Sequence, residues 1–139
     1  MALGLATGVA FTWLGMVLAI SFLEAPLRFR APGVDTRIGL GIGRLVFRAL
    51  NIVEAVLAAV LVISVVAGGA MVSTVLTALV AAALLGMQIG IVRPRLTRRS
   101  DRILAGEKAP RSRGHHAYVI LEVLKVAALL TNGILLLRA

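Results

Sequence analysis

The sequence predicts an all-α integral membrane protein, a bundle of four membrane-spanning helices. Of its 139 residues, 60% are hydrophobic and 15% are charged, whereas soluble domains usually carry about 25% charged residues. The apolar residues form four runs of roughly 20 residues each, the length that an α-helix needs to cross a hydrocarbon core of about 30 Å. None of the runs shows the polar face of a water-soluble helix. The runs cover residues 3–23, 45–67, 71–92 and 117–137.

The first run is expected to be a retained helix rather than a signal peptide. No basic residue precedes it, and the first arginines, Arg28 and Arg30, follow it. A secretory signal has the opposite order, with a basic segment before its apolar one. The chain also has no cysteine, which excludes disulfides, thiolate metal sites and CxxC redox chemistry.

The net charge of +9 is concentrated in two segments. Of the 15 Lys and Arg residues, five lie in 28–48 and eight in 93–113. This pattern predicts that the basic loops 28–48 and 93–116 are cytoplasmic and that both termini lie on the other side, in a bacterial inner membrane. Few aromatic residues interleave with the basic ones, which argues against nucleic-acid binding. The arginines expected to meet anionic lipid head groups are Arg28, Arg30, Arg95, Arg98 and Arg99.

The chain is expected to form one transmembrane domain, 1–139, of two helical hairpins joined by a short turn. Shifting the sequence on itself by 68 positions aligns the helices and the basic loop of the second predicted hairpin with those of the first. If this register reflects an internal duplication, the two halves are parallel repeats related by an axis along the membrane normal; a chance match stays open. The halves would be 1–68 and 69–139, and the aligned pairs include Pro26 with Pro94 and Glu54 with Glu122.

The two aligned prolines predict where the chain leaves the membrane. Pro26 and Pro94 are each followed by arginines, and an interior proline usually ends a helix. We therefore expect the first and third helices to end there. Within the second basic segment, the spacing of apolar residues in 95–104 is compatible with a short interfacial helix.

Polar residues recur at helical spacing within each apolar run. Because an ionised group that faces lipid costs roughly 2.5–3.5 kcal/mol or more, we expect these polar faces to point toward one another. In chain order the faces consist of Trp13, Val17, Ser21, Glu24 and Arg28; Arg44, Arg48, Asn51 and Glu54; Thr74, Thr77 and Gln88; and His115, Tyr118, Glu122, Lys125, Leu129 and Asn132.

The carboxylates within the apolar runs have two interpretations each. Glu122 and Lys125 are three residues apart and can form a purely structural ion pair, while Glu54 is either protonated or shares Lys125 across the bundle. Glu24, four residues before Arg28, is expected to form a salt bridge at the membrane surface. Ionisable residues inside a membrane are functional candidates by default. The candidates for binding an ion, a proton or a substrate are Glu54, Glu122, Lys125, Asn51, Tyr118 and Gln88.

A metal site is a further possibility, although no cofactor is assigned. His115 and His116 open the fourth apolar run, and an imidazole combined with an intramembrane carboxylate can bind a metal ion. His115 and Glu24 are the candidate ligands. Alternatively, the two histidines are only polar anchors at the membrane surface.

The chain resembles two membrane families. "FTWLGMVLAISFLEAPLRF", "GRLVFRALNIVEAV", "VRPRLTRRSD" and "HHAYVILEVLKVAALL" together resemble small four-helix membrane proteins related to the copper-resistance D proteins and to a eukaryotic transmembrane protein linked to platinum-drug resistance. This resemblance covers most of the chain and implies a role in handling or resisting a metal or a small solute. The lack of cysteine and the scattered Met16, Met71 and Met87 leave few soft ligands for copper itself.

The second resemblance is shorter. "RALNIVE" is similar to the R-A-H-x-N-x-x-E pattern in the second helix of the membrane glutathione-transferase and eicosanoid-enzyme superfamily, with Leu50 where that family has a polar residue. The long third loop also departs from that family. Carried over, the resemblance implies that Arg48, Asn51 and Glu54 belong to a thiol-cofactor site between the subunits of a trimer.

Three classes of function therefore remain. The sequence favours a homo-oligomeric protein that binds or moves a small cation, a metal ion or a proton-coupled solute. The alternatives are an accessory or scaffold subunit of a membrane complex and a membrane-embedded enzyme. Glycines that suit close helix contact, including contact between subunits, are Gly4, Gly8, Gly15, Gly86 and Gly90.

Overall fold

Four long helices make up the protein. The computed structural model describes residues 1–106 and 113–139, with side chains described for 1–106 and 116–139. The chain is 88% helical, its described residues contain no strand, and four helices are long and apolar enough to cross a membrane. The prediction of an all-α four-helix membrane protein is thereby confirmed. The helices are α1 Ala2–Arg28, α2 Thr36–Ala67, α3 Val72–Leu104 and α4 Arg113–Leu137.

The four helices pack as a closed square in which each contacts its two neighbours. Helix α1 lies against α2 and α4, and α3 lies against the same two helices. Short connections make successive helices antiparallel. We call the end where α1 and α3 finish the basic end, because the arginine-rich segments lie there. The opposite end, with the connection between α2 and α3, is the turn end.

The connection at the turn end is tight because a glycine reverses the chain. Gly69 has a φ of 66°, a left-handed conformation that a residue without Cβ adopts at no steric cost. The backbone N–H of Ala70 donates to the carbonyl of Val65 at 3.0 Å, which satisfies a carbonyl at the end of α2. This turn brings α3 directly alongside α2.

The outer surface of the bundle is apolar. Ile52, Ile63 and Val123 are 60%, 66% and 51% exposed, and many other large hydrophobic side chains are similarly open. A soluble monomer rarely exposes such a continuous apolar surface, whereas lipid tails cover it at no cost. Together with the length of the helices, this surface identifies an integral membrane protein.

The prediction that α1 and α3 end near their prolines is confirmed for α1, which ends at Arg28, two residues after Pro26, and is wrong for α3, which continues to Leu104. Helix α1 widens into a π-helical segment over Leu18–Glu24, and α3 does so over Gln88–Val92. A proline ring clashes with the carbonyl four residues earlier and leaves it without its usual donor. A π-helical turn shifts that register, so both helices continue beyond Pro26 and Pro94.

The basic segments are also more helical than the sequence predicted. Helix α2 begins at Thr36, where Asp35 accepts a hydrogen bond from the N–H of Ile38 at 2.8 Å. The predicted interfacial helix at 95–104 is the continuation of α3, which ends at Leu104. An ion pair of 2.6 Å between Arg44 and Asp101 joins the two extensions. The first basic connection is therefore only 29–35.

The predicted glycine contacts are not contacts within this chain. A Cβ atom added at any of the five glycines would have no neighbouring heavy atom within 4 Å among the described residues. The helices instead approach closely at Gly133, where an added Cβ would lie 2.7 Å from the ring of Phe11. The five open glycines are Gly4, Gly8, Gly15, Gly86 and Gly90.

Candidate functional site

A buried lysine is the centre of the polar interior. Lys125 is fully buried, and its ammonium group contacts three side-chain oxygens from three helices. The distances are 2.5 Å to Oε1 of Glu122 and 2.8 Å to Oε1 of Gln88, and the third contact is with Oε1 of Glu54. An ammonium group has three donors, and each has an acceptor here.

The two carboxylates receive further donors from α1. Trp13 Nε1 donates to Oε1 of Glu54 at 2.9 Å, and Ser21 Oγ donates to Oε2 of Glu122 at 2.7 Å. Trp13 and Glu54 are fully buried, and Glu122 is 1% exposed. The six residues of this charged cluster are Trp13, Ser21, Glu54, Gln88, Glu122 and Lys125.

All four helices are needed to build the charged cluster. Gln88, from the π-helical segment of α3, donates through Nε2 to Oε1 of Glu122 at 3.3 Å and to the backbone carbonyl of Tyr118 at 3.4 Å. Its own carbonyl oxygen accepts from Lys125. The π-helical turn before Pro94 thus carries the glutamine that joins α3 to Lys125 and Glu122 of α4.

The charges of the cluster do not balance. Two carboxylates and one ammonium leave a net charge of −1 when all three are ionised. An uncompensated charge in a water-free interior costs several kcal/mol, on the order of the penalty for breaking a buried ion pair. The cluster therefore requires one more positive charge, either a proton or another small cation.

Unsatisfied polar atoms mark the side of the cluster that faces the basic end. Within the described residues, Oε2 of Glu54, Oδ1 of Asn51 and the hydroxyl of Tyr118 are buried and have no hydrogen-bond partner. Asn51 and Tyr118 lie three and four residues before Glu54 and Glu122, so both are about one turn nearer the basic end. Buried polar atoms normally have partners, so these three are the atoms at which a proton or a water molecule would supply a missing hydrogen bond.

Aromatic and basic side chains lie between these atoms and the basic end. Phe47 contacts Tyr118 edge to face, with ring centroids 5.9 Å apart at 87°. The guanidinium carbons of Arg28 and Arg93 lie 5.8 and 5.4 Å from the centroid of Phe47. Positive charge over an aromatic face is favourable. The two guanidinium groups and Phe47 therefore lie on the side of the charged cluster that faces the basic end.

The candidate metal ligands are not brought together in the described part of the protein. Glu24 forms an ion pair with Arg28, the salt bridge expected from their spacing, and its side chain is 41% exposed. The side chain of His115 lies outside the described residues. The residues that the structure describes contain no group of three or more His, Asp or Glu that could hold a metal ion.

The basic candidates occupy different environments. Arg28 is 9% exposed, and its guanidinium also donates to the carbonyl of Gly39 at 3.4 Å. Arg99 is half-buried. Arg48, which the second resemblance associates with Asn51, is exposed, so its predicted place on the inner polar face of α2 is wrong. The exposed head-group candidates are Arg30, Arg95 and Arg98.

Sequence reasoning missed the part that α1 plays in the cluster. Trp13 and Ser21 lie on the predicted inner face of α1, but they were not proposed as site residues. A tryptophan deep within a span, rather than at its ends where tryptophans usually lie, is the signal that could have identified Trp13. Phe47 gave no comparable signal, because a phenylalanine in an apolar run is unremarkable in any membrane helix.

Comparison with known proteins gives no relative to set beside this site. The chain matches no protein-family model, no curated protein and no solved structure. The candidate function therefore depends on the geometry of the charged cluster.

Proposed function

We propose that this chain is a small carrier in the membrane that binds a proton in its interior and couples that proton to movement of a small solute. The observation that carries the proposal is that two buried carboxyl groups, those of Glu54 and Glu122, share the single buried ammonium group of Lys125. One bound proton makes the cluster neutral. When the proton is released, the cluster regains one negative charge, which is stable in the interior only when water can enter.

A proton fits the free position better than a metal ion. The ammonium of Lys125 already occupies the point where oxygens of Glu54, Glu122 and Gln88 converge. Hard metal ions need several oxygen ligands at once; Ca²⁺, for example, takes six to eight. Oxygen Oε2 of Glu54 is the one carboxylate oxygen of the cluster without a partner among the described residues, and one oxygen suffices for a proton.

The proton is expected on Oε2 of Glu54. Oδ1 of Asn51 also has no partner within the described residues, and two acceptors cannot bond to each other without a hydrogen between them. A residue three positions earlier on a helix is a spatial neighbour. A protonated Glu54 would donate to Asn51, directly or through one water molecule, and thereby satisfy both oxygens.

The location and partners form part of the same proposal. Placing the basic end in the cytoplasm of a bacterial inner membrane follows the charge asymmetry of the chain. The exposed Arg30, Arg95 and Arg98 would contact anionic lipid head groups there. A homo-oligomer would use the open glycines of α1 and α3, such as Gly8 and Gly86, for close helix contact.

The only tryptophan of the sequence provides the test of proton binding. Because Trp13 donates to Glu54, its fluorescence should change as Glu54 gains or loses a proton. The experiment is a pH titration of Trp13 emission in lipid nanodiscs. We expect a titration in the wild type that Glu54→Gln removes and that Asp101→Asn, an acid-to-amide change outside the bundle interior, leaves unchanged.

Coupling is tested separately in proteoliposomes that contain a pH-sensitive dye. An imposed pH gradient should drive proton uptake in the presence of a transported solute, and Glu54→Gln should abolish it. A flat Trp13 titration in the wild type would contradict proton binding. A normal titration without any flux would instead favour the accessory-subunit alternative.

A further inference from the structure

A second polar site lies nearer the turn end of the bundle. Asn132 is fully buried, and its Nδ2 donates to the backbone carbonyl of Thr74 at 2.8 Å and to Oγ1 of Thr77 at 2.9 Å. Its Oδ1 is buried without a partner among the described residues. An amide oxygen accepts up to two hydrogen bonds, so a water molecule would supply the donor that this atom lacks.

An apolar layer separates this site from the charged cluster. Asn132 follows Lys125 by seven positions along α4, which corresponds to a rise of about 10 Å. The layer is centred on Leu61 and Leu129, both fully buried and both part of one hydrophobic cluster. The small, fully buried Ala81 of α3 belongs to the same cluster.

The layer is much thinner than the membrane. About 10 Å of apolar side chains stand between two polar sites, compared with about 30 Å of hydrocarbon in a bilayer. Apolar constrictions of this kind block ions and protons by excluding water. Entry of a few water molecules would connect the two polar sites.

From these observations we propose that Asn132, Thr74 and Thr77 form a second, water-binding site on the proton path, and that Leu61 and Leu129 form the barrier between this site and the charged cluster. This inference rests on the proposed function, because it gives the bound proton a route toward the turn end. The second site consists of neutral oxygens, which hold water and pass a proton on without retaining it. The charged cluster, by contrast, binds the proton.

The test is to hydrate the barrier with one substitution. Leu129→Asn places an amide between Lys125 and Asn132, and we expect solute-independent proton flux into proteoliposomes to rise by at least about tenfold, because the constriction can no longer exclude water. Leu130→Asn is the matched control: it makes the same change at the next residue, whose side chain is 46% exposed on the outside of the bundle. That control should leave the flux at the wild-type level.

A composition-preserving variant separates the barrier from general damage. The double variant Leu129→Asn/Asn132→Leu moves the amide toward the charged cluster and places a leucine at the second site. We expect the increased proton flux of Leu129→Asn to disappear, because the new leucine at position 132 restores an apolar layer about one turn nearer the turn end. Leu61→Asn, on a different helix, should leak in the same way as Leu129→Asn.

The outcomes distinguish this inference from the proposed function. If Leu129→Asn titrates at Trp13 like the wild type but shows no increase in proton flux, the barrier is overturned while proton binding stands. Equal leaks in Leu129→Asn and Leu130→Asn, or a leak that persists in the double variant, would also overturn it. If Trp13 emission of the wild type does not change with pH, the proposed function itself is contradicted.

Discussion

Replacing Lys125 by methionine tests whether the buried charges hold the bundle together. Methionine has a similar length and is apolar, so the substitution removes the ammonium while nearly conserving volume. Its loss would leave Glu54 and Glu122 without the cation that both contact. Ser21, Trp13 and Gln88 would remain as neutral donors.

The expected loss of stability follows from the burial of the cluster. Removing one partner of a buried ion pair typically costs about 3–5 kcal/mol, because the remaining charge stays in a medium of low polarity. A near-isosteric apolar exchange alone costs less than about 1.5 kcal/mol. Even when Glu54 carries a proton, the charge of Glu122 still loses its cation. We therefore expect the free energy of unfolding of Lys125→Met to fall by about 3–5 kcal/mol.

The assay is reversible unfolding by sodium dodecyl sulfate in mixed micelles, followed by Trp13 emission and helical circular dichroism. A matched control is Arg44→Met, which breaks the partly exposed ion pair with Asp101 and should cost less than about 1 kcal/mol. Adding Glu54→Gln and Glu122→Gln to Lys125→Met removes both unpaired charges. This triple variant should recover most of the lost stability.

Two results would refute the reasoning. A loss below about 1 kcal/mol in Lys125→Met would place the lysine in the range of a solvated ion pair rather than a buried one. A triple variant no more stable than Lys125→Met would show that packing, not charge, caused the loss. Acidification should also recover part of the stability of Lys125→Met, since a neutral carboxyl needs no cation.

Two further predictions concern single contacts. Trp13→Phe keeps an aromatic side chain but removes the indole N–H that donates to Glu54, so unfolding in the same assay, followed here by circular dichroism, should show a loss of at least about 1.5–3 kcal/mol, as for bonds to charged groups. The smaller ring adds a packing loss at this fully buried position; an unchanged stability would mean that the bond contributes nothing. Gly133→Ala should destabilise the protein by about 1–3 kcal/mol because the added Cβ would overlap the ring of Phe11. Gly41→Ala, whose Cβ would meet no heavy atom within 4 Å among the described residues, should be neutral or stabilising, and equal effects of the two glycine substitutions would contradict the packing described here.

The interior ion pairs show how far spacing predicts a site. Glu122 and Lys125 are three residues apart, so their ion pair follows from helix geometry and is confirmed at 2.5 Å. The sharing of Lys125 with Glu54 was one of two alternatives, and the structure shows that contact. Helical periodicity identified the inner faces, but it left open how the helices are rotated and shifted along their axes. The contacts of Trp13 and Ser21 with the carboxylates depend on both.

The prolines show where local rules fail. Pro26 and Pro94 each remove a backbone donor, and the expected consequence was a helix end. Both helices widen into π-helical turns before the proline. Helix α1 then ends at Arg28, close to the predicted end, whereas α3 continues to Leu104. In a membrane every backbone polar group must be satisfied internally, so a register shift within the helix replaces an exposed end. One of these turns also contributes Gln88 to the charged cluster.

The sequence by itself determined that this is a membrane protein of four helices, which ends of those helices are basic, and most of the polar residues that face inward, although Arg48 of the predicted inner faces is exposed. These properties depend on the length and the 3.6-residue period of each apolar run, which are local. Tertiary structure alone decided that Lys125 contacts both glutamates, that Oε2 of Glu54 is buried without a partner among the described residues, and that Leu129 is buried in the hydrophobic core between Lys125 and Asn132. Such features depend on the axial shift and rotation of helices against one another, which result from side-chain packing over the whole bundle.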